Sequence, residues 1–203
     1  MRDESNRRPR LHFFKIDSLM NIQDLLTIIA SRHSVGAKHQ CAPGPSREEL
    51  ELLCQAALKV PCHEAHVPVR YCLIESRDAL ADLFERSLEP GTPPDKVERA
   101  RSKALKAPSM LAIIETHTDA QLSPVLAQER LMSIGSSFQN VMLGLTALGY
   151  VGKIVTSRAI TFENPLFDVA TEKLHAFIMI GRPETPLPEE RFTPSETPVL
   201  SVF

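Results

Sequence analysis

Residues 123–149, SPVLAQERLMSIGSSFQNVMLGLTALG, decide the fold. Ser123 can cap a helix, and Pro124 is tolerated at its first position because the missing N–H would have no intrahelical partner there. No further proline interrupts the run before Leu148, and Gly149 suits the left-handed residue that ends many helices. Leu131, Ile134, Phe138, Val141, Met142, Leu145 and Leu148 lie on more than one face. A helix apolar on more than one face is buried in a core, and part of this one is also a candidate subunit interface.

Just upstream, Met110 to Glu115 (MLAIIE) is a continuous apolar run of strand length, as expected for a strand buried on both faces. Before it come a charged helix over 94–106, ended by Ala107-Pro108, an amphipathic helix over 77–88 and a strand over 69–75. Downstream, 153–156 (KIVT) and 174–180 (LHAFIMI) read as strands. Asn164-Pro165 is expected to start a short helix to Ala170. The first helix, residues 19–31, sets Leu19, Ile22, Leu25, Leu26 and Ile29 on one face. After a Pro/Gly-rich loop from Cys41 to Pro45, the Ser46…Glu49 spacing is a capping box opening a helix that stops before Pro61. The expectation is one α+β domain over residues 20–203, with a central mixed or antiparallel sheet flanked by helices. Residues 1–19 read as a disordered extension or as sequence upstream of a start at Met20; a nucleic-acid-binding arm is the sharper alternative. The segment 183–203 holds five prolines yet ends in Val199-Leu-Ser-Val-Phe203. An apolar terminus of this kind is expected to wrap over a surface and dock, on its own subunit or on a partner.

Composition narrows the function. The 203 residues carry 23 Lys+Arg against 25 Asp+Glu, and 43% are apolar, which excludes collagen-like, fully disordered and disulfide-scaffold classes. Near-neutral charge leaves no footprint for nucleic acid. No stretch approaches the roughly 20 apolar residues of a membrane helix, and no export signal is seen, so a cytoplasmic protein is expected. Cys41, Cys54, Cys62 and Cys72 form no C-x-x-C and read as reduced thiols. They mix with His33, His39, His63 and His66 at spacings that match no zinc motif, so no metal is expected. The adjacent Cys62-His63 is not the usual arrangement of a catalytic pair, because such pairs are brought together by the fold. Only 8 glycines are present, and neither a P-loop nor a Rossmann fingerprint is among them.

Arg32-His33-Ser34 closes the first helix with three donors side by side. Guanidinium, imidazole and hydroxyl suit a phosphate, although the triplet also reads as a solvated helix end. Further motifs follow in order: Ala56-Ala57-Leu58-Lys59-Val60-Pro61, Val67-Pro68-Val69-Arg70-Tyr71, Ala107-Pro108, Gln139-Asn140-Val141-Met142-Leu143 with Ala147-Leu148-Gly149-Tyr150, and Ile180-Gly181-Arg182-Pro183. In order and spacing they resemble the FMN-dependent nitroreductase family, over residues 20–183. The nearest resemblance is to its small single-domain NAD(P)H nitroreductase branch, whose chains end in a Pro-Thr-Pro-like apolar terminus as Thr197-Pro198-Val199 does here.

The resemblance implies a nitroreductase-like fold, a homodimer with FMN at the subunit interface, and a tail wrapping onto the partner. It implies that Arg32, His33 and Ser34 hold the phosphate and ribityl chain, that Lys59 and His63 add FMN contacts, and that Ile154, Val155 and Thr156 lie where backbone approaches the isoalloxazine. NAD(P)H would give hydride to the flavin and leave, and a nitroaromatic, quinone or similar acceptor would take the electrons. No side-chain acid or base is then needed, because the cofactor carries the chemistry. Other redox chemistry on FMN, such as dehydrogenation or dehalogenation, and a non-enzymatic dimeric binding module are the alternatives. The chain departs from the family pattern at Gly36, where a basic residue is common and Lys38 is the substitute at hand, at Val69 and Val155, where Trp is common, and at Ala65 and Val67.

Overall fold

The computed structural model describes residues 22–63, 66–116, 122–156, 160–187, 196 and 199–201. The proposed extension 1–19 lies outside them, as does most of the tail beyond Leu187. Two strands form the centre. β3 (Ser109–Thr116) runs antiparallel to β5 (Glu172–Pro183) along its whole length. β2 (Val69–Leu73) flanks β3, β4 (Val151–Thr156) flanks β5, and the short β1 (Gln40–Cys41) pairs with the end of β5. Every strand pairing is antiparallel, and the one parallel element among the described residues is a bridge between Ser34 and Gly152.

The apolar run that signalled a doubly buried strand does become one. Successive side chains of a strand point to opposite faces. Met110, Ala112 and Ile114 accordingly join one core, with Phe177, Met179, Leu80 and Phe84. Leu111 and Ile113 join the other, with Ile178, Ile180, Val141, Met142 and Leu145. The first core is covered by α3 (Arg77–Arg86) and α4 (Pro94–Lys106), the second by α2 (Arg47–Ala57) and α5 (Pro124–Ala147). The result is a sheet between two helical layers.

Local signals set the helix ends. Ser46 Oγ accepts from the Glu49 N–H, and the Glu49 carboxylate accepts from the Ser46 N–H, completing the capping box. Ser123 Oγ accepts from the Leu126 N–H at the start of α5. At its far end Tyr150 N–H reaches Leu145 O and Gly149 N–H reaches Thr146 O, with Gly149 at φ +76°. These two bonds are the Schellman pattern, and they make Gly149 a helix stop rather than part of a phosphate loop. Close α2–α5 packing is possible because residue 144 is glycine, where a Cβ would collide with Leu53.

One local expectation fails and another is incomplete. Residues 164–170 are not helical: Asn164 Oδ1 accepts from Leu166 N–H and Asp168 Oδ1 from Ala170 N–H, so the Asx side chains build turns that compete with a helix. The Pro/Gly-rich loop forms over residues 42–45, as expected apart from Cys41, while the missed elements are a 3-10 turn at Ala37–His39 and the short β1 that it leads into. α1 (Ile22–Ser31) forms as expected, but none of its residues is buried, and Ile22 remains 70% exposed. α5 covers its apolar stripe only in part: Leu26 is half-buried, while Ile22, Leu25 and Ile29 stay exposed. Val199 and Leu200 are also exposed.

Gly149→Ala should destabilise the fold by about 1 kcal/mol, because alanine at positive φ is strained. Urea denaturation measures this, and an unchanged midpoint would contradict the cap.

Candidate functional site

The end of α1 delivers Arg32, His33 and Ser34 to the start of β4. Ser34 bridges Gly152, and Val35 N–H donates to Gly152 O at 3.3 Å. Arg32 Nη1 donates to Ser34 Oγ at 3.3 Å, and His33 Nδ1 lies 2.9 Å from Ser31 O. Ser34 and the nearby Lys38 are exposed, while Arg32 and His33 are half-buried.

β4 has a partner strand on one side only. Backbone groups of alternate residues point to the same edge of a strand. Gly152 turns its carbonyl outward to Val35, so Ile154 and Thr156 present their N–H and C=O on that same edge. Beyond the Ser34 bridge, no strand among the described residues covers it. The structure thus brings six of the eight expected site residues into one neighbourhood: Arg32, His33 and Ser34 at the end of α1, and Ile154, Val155 and Thr156 on β4. A guanidinium and a hydroxyl beside an open row of backbone donors and acceptors fit a phosphate carried on a flat heterocycle. This donor set suits FMN.

Lys59 and His63 are elsewhere in the same chain. Lys59 is exposed just past the end of α2, and His63 Nε2 lies 4.0 Å from Glu129 Oε1 near the start of α5. Ser133 Oγ donates to Pro61 O at 2.8 Å and fastens this segment to the helix. The Arg32 neighbourhood adjoins the opposite end of α5, where Ser31, Thr146, Gly149, Tyr150 and Val151 line one cavity of about 230 Å³. Glu129 and Thr146 are separated along the helix by roughly 25 Å at its usual rise per residue. The two groups therefore belong to opposite ends of one subunit.

A charged cluster escaped the sequence reading. Between β3 and β5 the register slips at Ile113/Ile114, leaving His175 as the extra residue of a bulge. Its Nε2 meets Glu115 Oε2 at 2.6 Å, and buried Arg130 of α5 lies 3.7 Å from Glu115 Oε1. A bulge re-aims a side chain, and nothing in a linear pattern marks where it falls. Beside it, Tyr71 OH and Ser137 Oγ are 2.8 Å apart, and burial pushes the Tyr71 hydroxyl up to about 12. Burial likewise pushes the Cys54 thiol up to about 11. The four cysteines are unpaired, and no His/Cys/Asp/Glu cluster among the described residues has metal-binding geometry.

The model of the nitroreductase family matches residues 29–182. The chain belongs to the nitroreductase family. YdjA of Escherichia coli (strain K12), which carries the provisional name NAD(P)H nitroreductase, is 24% identical over 188 residues, covering 89% of this chain and all of YdjA. Among solved structures, a nitroreductase-like protein from Bacillus cereus superposes with a TM-score of 0.71 at 17% identity, covering 92% of this chain and 99% of its own. A Bacteroides fragilis nitroreductase with bound FMN superposes with a TM-score of 0.62 at 16% identity, covering 88% and 98%. This nitroreductase-family chain thus has the expected nitroreductase-like α+β fold. No helix among its described residues is long and apolar enough to cross a membrane.

Because burial holds Cys54 protonated far above neutral pH, it should label with iodoacetamide at pH 8 much more slowly than exposed Cys41. Peptide mass spectrometry of the native protein reads both rates, and equal rates would contradict the burial.

Proposed function

We propose that this chain is an FMN-dependent oxidoreductase that works as a homodimer, taking hydride from NAD(P)H and passing it to a nitroaromatic, quinone or similar small acceptor. The observation that carries the reading is the junction of Arg32-His33-Ser34 with the open edge of β4, in a chain of the nitroreductase family. Arg32, His33 and Ser34 would hold the phosphate and ribityl chain of FMN, and the backbone of Ile154, Val155 and Thr156 would face the ring system. When bound, FMN supplies the hydride acceptance and donation. The chain supplies charge for the phosphate, orientation through a strand edge, and shielding by its apolar surfaces.

Lys59 and His63 would serve the FMN held by the other subunit, since in their own subunit α5 separates them from Arg32. Surface chemistry supports pairing. The exposed Ile22, Leu25 and Ile29 of α1 and the exposed Leu126, Leu131 and Met132 of α5 are apolar area that a second copy would remove from water. The exposed Val199 and Leu200 fit a tail that docks across that interface. The departures at Gly36, Val69 and Val155 bear on the acceptor pocket and favour a relaxed one. The unpaired thiols accord with a cytoplasmic location.

Two measurements test the proposal. The purified protein, reconstituted with FMN, should bleach anaerobically on addition of NADH or NADPH and recover colour with a nitroaromatic or quinone. Arg32→Ala should weaken FMN binding by about tenfold or more, because it removes the cation from the phosphate. Protein that takes up no flavin would refute the FMN reading. Protein that binds FMN but is not bleached by either nucleotide would refute the electron donor.

A further inference from the structure

Gln40 is buried, with 8% of its surface exposed, in the two-residue strand β1. Its Nε2 donates to two carbonyls from different parts of the chain, Val35 O at 2.8 Å and Met179 O at 3.3 Å. Its Oε1 is also buried and has no hydrogen-bond partner among the described residues. A buried acceptor left unpaired is costly, and what offsets it here is the pair of bonds that the amide donates to Val35 O and Met179 O. What it does uniquely is donate twice.

The recipient matters. Val35 directly follows Ser34, and its N–H is tied to Gly152 O of β4. Its carbonyl is tied by Gln40 to Met179 in the middle of β5. The residue after Ser34 is thereby held on two sides, against the edge strand and against the central strand. Gly36 itself meets nothing, since a Cβ built there finds no atom within 4 Å, and the chain then enters the 3-10 turn Ala37–His39.

We propose that Gln40 is a positioning residue that sets the Arg32–Ser34 segment for the phosphate of FMN, and so gives the protein its preference for FMN over riboflavin. This rests on the FMN reading above. Gln40 touches no cofactor atom in this account, and it acts through the Val35 carbonyl. Loss of its donors lets the segment shift, which weakens contacts to the phosphate and leaves contacts of the β4 edge to the ring system in place.

The test compares flavin binding by wild-type apoprotein, Gln40→Met and Gln40→Glu, using quenching of flavin fluorescence with FMN and with riboflavin. Methionine keeps the length and cannot donate; glutamate keeps the shape but has at most one donor, so it cannot tie both carbonyls. The wild type is expected to prefer FMN. In each folded variant FMN affinity should fall about tenfold while riboflavin affinity changes less than about twofold, so that the preference collapses. Equal loss for both flavins, or no loss for either, would overturn the proposal. If both variants fail to fold, Gln40 is a structural residue and the proposal is likewise overturned. A wild type that binds neither flavin would remove the FMN reading itself, an outcome distinct from a wild type that prefers FMN and variants that keep that preference.

Discussion

The antiparallel pairing of β3 with β5 is the constraint on which the other features depend. Both strands are buried on both faces, so each must contribute apolar side chains to two cores at once. Ile114 and Phe177 have no exposed surface and face the α3–α4 layer, while Ile178 and Ile180, equally buried, face α2 and α5. A one-residue slip would exchange these sets, which makes the register stringent. That register fixes β4 along β5, and β4 carries the edge on which the candidate site is built.

The site follows from where the sheet stops. β4 ends the sheet on its side, and its outer edge is open except where Ser34 meets Gly152. An open edge ordinarily invites another strand, and proteins cover or blunt it. Here the end of α1 covers one residue and leaves Ile154 and Thr156 available, with guanidinium, imidazole and hydroxyl groups alongside. Strand edge and donor cluster are held together through one residue, Val35, which links β4, the triplet and, by way of Gln40, β5. The α5 helix then sets the scale: its length keeps Lys59 and His63 away from this cluster within a subunit, and its exposed apolar residues offer the surface through which a second subunit would bring them back.

The legible parts of the fold are those with strong local signals. Prolines and caps bounded α2, α4 and α5, and the uninterrupted MLAIIE run marked β3, because helix ends and doubly buried strands leave marks within a few residues. The Asn164-Pro165 start misled, since Asn and Asp side chains stabilise turns as readily as helix starts, and Asp168 continued the turns. β1 was illegible because its pairing partner lies more than a hundred residues away. For the site, Arg32-His33-Ser34 could be read as a motif, and the family resemblance added the β4 residues. Gln40 and the Glu115–His175–Arg130 cluster could not be read. The first depends on a tertiary contact with Val35 and Met179, and the second on a bulge that turns His175 toward Glu115.

The central claim is that one FMN site is assembled from Arg32 of one subunit and His63 of another. Subunit complementation tests it most directly. Arg32→Ala and His63→Ala proteins are purified separately, each weak in FMN binding, then unfolded, mixed in equal amounts and refolded. Half the dimers should be mixed, and each mixed dimer has one site with both residues intact, so about a quarter of all sites should regain tight FMN binding. That recovery, read by equilibrium dialysis of FMN, is the predicted result. No recovery above the separately refolded variants would contradict the account, because it would mean that both residues serve the same subunit's site or none at all.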